Sequence, residues 1–429
     1  NRFRILFHAE DLPATGYKAF RVKWTEKDLY PYPHEDWDPL RIHHTRLSTG
    51  PRSAENEHVR LEIADNGTLN VKHKDSGEVY RGLHYFMDSG ESGNLYMHKP
   101  PEQDEMVTSL SNRARISRTV DGPLKVSFEI ETVMDLPHYY DSQGNVRSES
   151  RREVPVTSTV SLRRGSPVIE VETEVDNRVK DHFLRVCFPT EINAEWTEAG
   201  AVFNVERYPT ARSRNGEFEG HELKRHQQHG FMDISDGERG FAVLNPTVRD
   251  YEILDADRGT IAHSLIRGVN LRIPVDNRLW KEYPGDESAQ SPGHHVFRYG
   301  LMPHSGDWSE AGVDKEAEKF RTPIRLGQIG SQEGGLPLSK GFFKVEGQSL
   351  QFSALKKAEG RDTLLARIYN PTKNSEEGVL QFGTEIKEAH LVNLDEERQE
   401  QIEVSNTSEV QVDVPSGRII TVEVVPTGD

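Results

Sequence analysis

Period-two alternation of apolar and polar residues recurs along nearly the whole of this 429-residue chain, and no other feature narrows its fold as far. Successive side chains of an extended strand point to opposite faces, so an alternating run is a strand with one face in a core and the other in water. Leu124, Val126, Phe128 and Ile130 follow this pattern, as do Val154, Val156, Val160 and Leu162 with one gap. After Arg163-Arg164-Gly165-Ser166, the residues Ile169, Val171, Thr173 and Val175 share one face and Glu170, Glu172 and Glu174 the other, which predicts a long hairpin. The alternation returns at 241–244, 342–345 and 419–425, with turn signals Asp65-Asn66-Gly67 and Asp75-Ser76-Gly77 between runs. Helical periodicity is confined to a short charged stretch from Gly312 to Phe320. The predicted class is all-β, with large antiparallel sheets packed as sandwiches.

A chain of this length exceeds one ordinary hydrophobic core, so two or three domains are expected. The segment from Asp28 to Pro51 carries Pro31, Pro33, Pro39 and Pro51, which bars it from a central strand. Residues 1–51 therefore read as initial strands, beginning with the run Phe3 to Phe7, and a proline-rich connector. A second break falls between Gly327 and Pro337, which is turn-rich and poor in large apolar residues. Residues 52–326 are too long for one small sandwich and predict a large antiparallel double-sheet supersandwich, leaving 327–429 as a smaller immunoglobulin-like β-sandwich module.

Charge excludes several partners. With 53 basic and 70 acidic residues the formal charge is −17, which repels phosphate backbones and anionic membrane surfaces. No nucleic acid and no membrane partner is expected. The single cysteine, Cys187, can close no internal disulfide, which points to a reducing compartment and a cytoplasmic location. It lies in the apolar run Leu184 to Pro189 and reads as a core thiol. No window approaches the apolar length of a membrane span, and no signal segment opens the chain. Its start at Asn1, without Met, suggests a piece of something longer.

Familiar catalytic motifs are missing: there is no Gly-x-Ser-x-Gly, no phosphate-cradling glycine loop ending in Lys, and no dinucleotide fingerprint. Paired carboxylates cannot be chosen among 70 candidates, because a glycosidase pair is defined by its separation in space. The histidine groups His43-His44, His226 with His229, and His294-His295 lack strong metal-ligand spacing, since adjacent strand residues face opposite ways. No metal ligand and no catalytic residue is assigned within the chain.

Polar and aromatic residues do concentrate in three non-alternating segments, the composition with which proteins grip sugar C–H faces and hydroxyls. They are Asp88 to Pro101, a glycine-rich loop presenting Tyr96; Phe203 to Pro209, running toward His226; and Gly293 to Tyr299, continuing to Trp308. Each reads equally as an ordinary loop or an aromatic corner of a sandwich.

At these segments the chain resembles the C-terminal region of glycoside hydrolase family 38, the α-mannosidases, in its bacterial and archaeal branch. The matching pieces run in order: Glu10 to Lys18, Glu55 to Glu57 with Asp65 to Leu69, Asp88 to Pro101, Asp181 to Thr190, Phe231 to Glu238, Leu265 to Gly268, and Phe297 to Tyr299 with Gly306 to Trp308. The resemblance implies a retaining, zinc-dependent glycosidase whose catalytic domain, carrying the zinc, the nucleophile and the acid/base carboxylate, is absent from this chain. The expected role of the chain is then to complete the sugar cleft and brace that domain. Tyr96 stands where the family places a tyrosine that reaches the bound sugar, and Arg207 near where it places a cleft arginine. Glu91 and Asn94 stand where aspartates are common in this branch. The implied partners are an α-mannoside or related sugar and the chain's own N-terminal catalytic domain, and the family's habit of assembling adds a homo-oligomer. Two other readings stand beside this one. The chain could be a stand-alone carbohydrate-binding or structural β protein, or a supersandwich catalytic by itself through a histidine such as His226 or His295.

Overall fold

The computed structural model describes residues 5–23, 46–210, 225–276, 279–283, 285–330 and 333–427. Two compact units divide the chain, one of residues 42–200 and 206–322, the other of residues 1–41, 201–205 and 323–429.

The first unit is built on a 13-stranded antiparallel sheet. Its principal strands in chain order are β1 (Tyr85–Gly90), β2 (Lys125–Pro137), β3 (Arg151–Arg163), β4 (Ile169–Asn177), β5 (His182–Pro189), β6 (Arg225–Ser235), β7 (Arg239–Ile253), β8 (Thr260–Arg267) and β9 (Gly293–Ser305). Across the sheet they run β1-β5-β8-β7-β9-β4-β3-β2, with β6 also paired to β7. The hairpin of β3 and β4 pairs Val160 with Val171 and Val156 with Val175. All four valines are buried, while Glu172 and Glu174 face water. A one-residue slip would drive the glutamates into the core, so the pattern sets the register.

A second sheet of five strands, Ser48–Gly50, Ser53–Glu55, Val59–Ile63, Leu69–His73 and Val79–Leu83, covers the first. Leu61, Val71 and Tyr80 from it share one core with Phe128, Val160 and Phe241 of the large sheet. The Tyr80 hydroxyl donates to the Gly240 carbonyl at 2.9 Å, so the ring crosses between sheets without leaving its polar end unpaired. The one α-helix among the described residues, α1 (Val313–Arg321), begins after Gly312 and buries Val313 and Ala317. Among the described residues no helix is long and apolar enough to cross a membrane.

Strand β5 positions the candidate site. Leu184, Val186 and Phe188 enter the main core, whereas Cys187 packs on the opposite face with Met87 and Ala262. Phe183 and Arg185 share that opposite face by strand alternation. Cys187 is fully buried, and burial pushes its thiol up to about 12, which removes it as a nucleophile at neutral pH.

In the second unit a four-stranded and a five-stranded antiparallel sheet enclose a core of Phe343, Ile368, Leu380, Val410 and Val422. Before it, Gly16–Lys18 pairs with Ser339–Gly341. The expected strand at Phe3 to Phe7 does not form over its described part, Ile5–Phe7, which runs without regular structure and without a ladder partner among the described residues. The prolines at 31, 33 and 39 lie outside the described residues.

Candidate functional site

Four connections converge at one end of the large sheet: the loop after β1, the hairpin Tyr140–Asp141 with Val146–Arg147, the turn before β5, and the segment between β8 and β9. A chain of buried charges ties them together. Asp88, fully buried near the end of β1, accepts from His182 Nδ1 at 2.6 Å and from Arg147 Nη2. Arg147 in turn donates to the Glu105 carbonyl at 2.9 Å. Burial acts to raise the Asp88 carboxyl, but His182 and Arg147 outweigh it and hold it below its ordinary value. Asp181 stands next in the chain with φ of +51°, a left-handed conformation that aspartate tolerates better than most residues. Its backbone N–H donates to Gln290 Oε1 at 2.8 Å, Gln290 Nε2 donates back to its carboxylate at 2.7 Å, and its carbonyl accepts from Glu91 N at 2.9 Å. Burial raises the Asp181 carboxyl, with the Gln290 and Tyr140 hydrogen bonds opposing that rise only in part.

The loop after β1 is fixed by a second carboxylate. Glu91 is buried, and its Oε1 accepts from the backbone N–H of Gly93 at 2.7 Å and of Lys99 at 2.9 Å. Its Oε2 accepts from His98 Nδ1 at 2.5 Å and from Arg267 Nη1 at 3.2 Å. Burial would raise this carboxyl, yet the His98 and backbone donors leave it below its ordinary value. Arg267, at the end of β8, also donates to the Asn94 and Leu95 carbonyls, each at 2.9 Å. Asn94 Oδ1 accepts from the backbone N–H of Tyr96 at 2.8 Å and of Met97 at 3.1 Å. Glycine is required here: a Cβ on Gly93 would lie 2.0 Å from the Met97 carbonyl oxygen, and one on Gly90 2.6 Å from Pro101 Cγ. The result is a tightly clasped loop whose tip carries Tyr96, 67% exposed, between Leu95 and Met97.

Beside the clasp lies a strip of guanidinium groups. The Arg185 and Arg225 guanidinium carbons sit 4.7 and 5.3 Å from the centre of the Phe183 ring, and the His98 ring lies 5.2 Å from the same centre. Arg185 pairs with Glu252 at 3.0 Å and Arg225 with Asp250 at 3.7 Å. Arg185 and Phe183 are buried, so the strip braces the strands, and the exposed Tyr96 ring is the part of this region with the chemistry to meet a neutral polyhydroxylated ligand. Arg225 was not legible as part of it, because its partners come from β5, β7 and the loop. Arg267 carried a signal as part of the matched piece Leu265 to Gly268.

Arg207 lies on the strand Asn204–Pro209, with its guanidinium 5.0 Å over the Trp196 ring and 3.2 Å from Glu198. Those contacts are on its own hairpin, and none of the described contacts joins it to the Tyr96 loop. Tyr208 stacks on His226 with ring centres 4.0 Å apart. The third aromatic segment is mainly core: Phe297 and Tyr299 are buried because β9 turns them inward, and Trp308, beyond that strand, packs on Phe231 at 5.8 Å. His229 meets Arg321 at 3.0 Å, His294 meets Glu174 at 2.8 Å, and His295 meets the Ser291 carbonyl at 2.8 Å. His43 and His44 lie outside the described residues. Among the described residues no group of three or more His, Cys, Asp or Glu is placed to hold a metal ion.

Comparison with known proteins adds the following. The family described as glycosyl hydrolases family 38 C-terminal domain matches residues 54–270, and the family described as glycosyl hydrolases family 38 C-terminal beta sandwich domain matches residues 349–422. A protein of Halalkalibacterium halodurans, provisionally named mannosylglycerate hydrolase, is 25% identical over 386 residues, covering 86% of this chain and 41% of that protein. Human alpha-mannosidase 2C1 is 25% identical over 242 residues, covering 56% of this chain and 21% of that protein. The crystal structure of an alpha-mannosidase from Enterococcus faecalis V583 superposes with a TM-score of 0.78 at 27% identity, over 88% of this chain and 42% of that one. The chain thus spans well under half the length of each of these relatives.

Proposed function

The chain belongs to glycosyl hydrolase family 38, whose C-terminal domains it carries, and on that premise we propose that it is the β half of a retaining, zinc-dependent α-mannosidase-like glycosidase. In this reading the loop end of the large sheet forms one wall of the sugar cleft. The nucleophile, the acid/base carboxylate and the zinc belong to a catalytic domain outside these residues, and net retention follows from two successive displacements there. Zinc would act as a Lewis acid on sugar hydroxyls in that domain. What this chain contributes is position.

The observation that carries the cleft-wall reading is the clasp of Glu91, Arg267 and His98 beneath Tyr96. A solvent-facing tyrosine held by this many buried hydrogen bonds loses little freedom when a ligand meets it. Its ring offers an apolar face to a sugar and its hydroxyl a donor or acceptor to one sugar hydroxyl. Arg207 is proposed as a second contact, with its guanidinium kept flat by Trp196. A homo-oligomer remains compatible with this role.

Tyr96→Ala in the full-length enzyme is expected to lower kcat/KM for an α-mannoside about thirtyfold, because a ring contact and a hydrogen bond are each worth on the order of 1 kcal/mol. The melting temperature should stay unchanged, since the side chain is exposed. Unaltered kinetics in that variant would remove Tyr96 from the cleft. Arg207→Ala, compared in the same assay, should raise KM if the guanidinium touches sugar and leave it alone if it only braces Trp196 and Glu198.

A further inference from the structure

Exposed apolar side chains are concentrated in one part of the smaller-module unit. Of the 25 large hydrophobic residues exposed among the described residues, eleven fall within 5–22 and 324–338, including Ile5 at 57%, Val22 at 73%, Leu326 at 82%, Ile329 at 76% and Leu338 at 76%. The two segments are joined as a ribbon. Gly16–Lys18 pairs with Ser339–Gly341, Ala19 N donates to the Leu338 carbonyl at 2.7 Å, and the Tyr17 hydroxyl donates to the Pro337 carbonyl at 2.8 Å.

The stretch 323–330 has no helix or strand, and its backbone makes no hydrogen bond with any described residue. Within it Ile324 and Leu326 stand two apart, the spacing that would put both side chains on one face if the chain were laid out as a strand. A segment whose backbone is unpaired and whose large apolar side chains Ile324, Leu326 and Ile329 stand in water has the properties of one that lacks its partner. Soluble proteins rarely leave so many large apolar groups together in water, and where they do the patch marks an interface.

We propose that this ribbon is the docking seam for the remainder of a family 38 polypeptide, with the stretch 323–330 laid along that partner and its apolar side chains buried. The choice of occupant rests on the function proposed above and on length: the Halalkalibacterium halodurans and Enterococcus faecalis relatives devote more than half of their chains to sequence beyond the part this chain matches. The module's own core does not need these side chains, because its two sheets already enclose Phe343, Leu380 and Val422.

The test compares this chain alone with the full-length protein of the same gene by hydrogen exchange. Amides of 323–330 should exchange at least tenfold more slowly in the full-length protein, and a Leu326→Glu, Ile329→Glu double variant should erase that protection. The same double variant of the isolated chain should keep its melting temperature, which separates docking from folding. Equal, fast exchange in both proteins overturns the proposal, even if the full-length protein hydrolyses an α-mannoside and the functional reading survives. Protection in a full-length protein that hydrolyses no α-mannoside would leave the seam standing and remove the function instead. Protection already present in the isolated chain, rising with its concentration together with a dimer in sedimentation, would give the seam to a second copy and overturn the assigned occupant.

Discussion

Asp88→Ala lowers the stability of the larger unit by about 3–5 kcal/mol, the usual cost of removing one partner from a buried ion pair. Asp88 is fully buried, Arg147 is 6% exposed and His182 fully buried, so the substitution leaves a guanidinium and an imidazole with neither water nor anion. For a unit of this size the melting temperature should fall by roughly 6–20 °C. Asp88→Asn keeps an acceptor but not the charge and should fall less. Because the Asp88 carboxyl titrates below its ordinary value, its stabilisation is complete above that ordinary value and is lost as pH falls through the lowered folded one. Calorimetry on the two variants checks both statements, and a shift under about 1 °C for Asp88→Ala would contradict the role given to this hub.

The second large effect is expected in the smaller module. Glu423 is fully buried and accepts from Arg361 Nε and Arg398 Nε, each at 2.8 Å, and from the Thr363 hydroxyl at 2.6 Å. Burial alone would raise its carboxyl, but the Arg398, Thr363 and Arg361 hydrogen bonds bring it down to about 2 from an ordinary 4.5. A depressed carboxyl stabilises the folded state fully above the ordinary value, and that contribution drains away as pH drops from 4.5 toward about 2. Glu423→Ala should cost about 3 kcal/mol, somewhat less than a sealed pair would, because both arginines can reach water. It should also flatten the acid limb of stability between those two pH values. Thermal unfolding of wild type and variant at pH 7 and pH 3 gives the comparison, and parallel losses at both would show that Glu423 contributes packing rather than charge.

What could be read in advance follows from which interactions are local. The hairpin at 151–177 was legible because valine alternation and an Arg-Arg-Gly-Ser turn specify it within thirty residues or so. The helix at Gly312 was legible from its charged periodicity. The loop presenting Tyr96 was visible through its glycines, and Gly93 proves to be the residue whose side chain could not exist there. The clasp beneath it was not visible, because Glu91 and Arg267 stand 176 positions apart and Asp88 and Arg147 stand 59 apart. A carboxylate among 70 carries no mark of the arginine that the sheet order will bring beside it. Glu91 and Asn94 looked like departures from a familial pattern, and the fold uses both as acceptors that hold the loop closed. For the aromatic run ending at Trp308 the sequence left a sandwich corner open beside a sugar-gripping segment, and strand β9 turns Phe297 and Tyr299 into the core.

The proposed role of this chain is that of a cleft wall with no chemistry of its own. The most direct test is hydrolysis of a chromogenic α-mannoside, with added zinc, by this chain and by the full-length product of the same gene. Turnover by the full-length protein alone is the predicted result. Turnover by the isolated chain would mean that a nucleophile lies among its own residues and would contradict the account, and silence in both would transfer the chain to a binding or structural role.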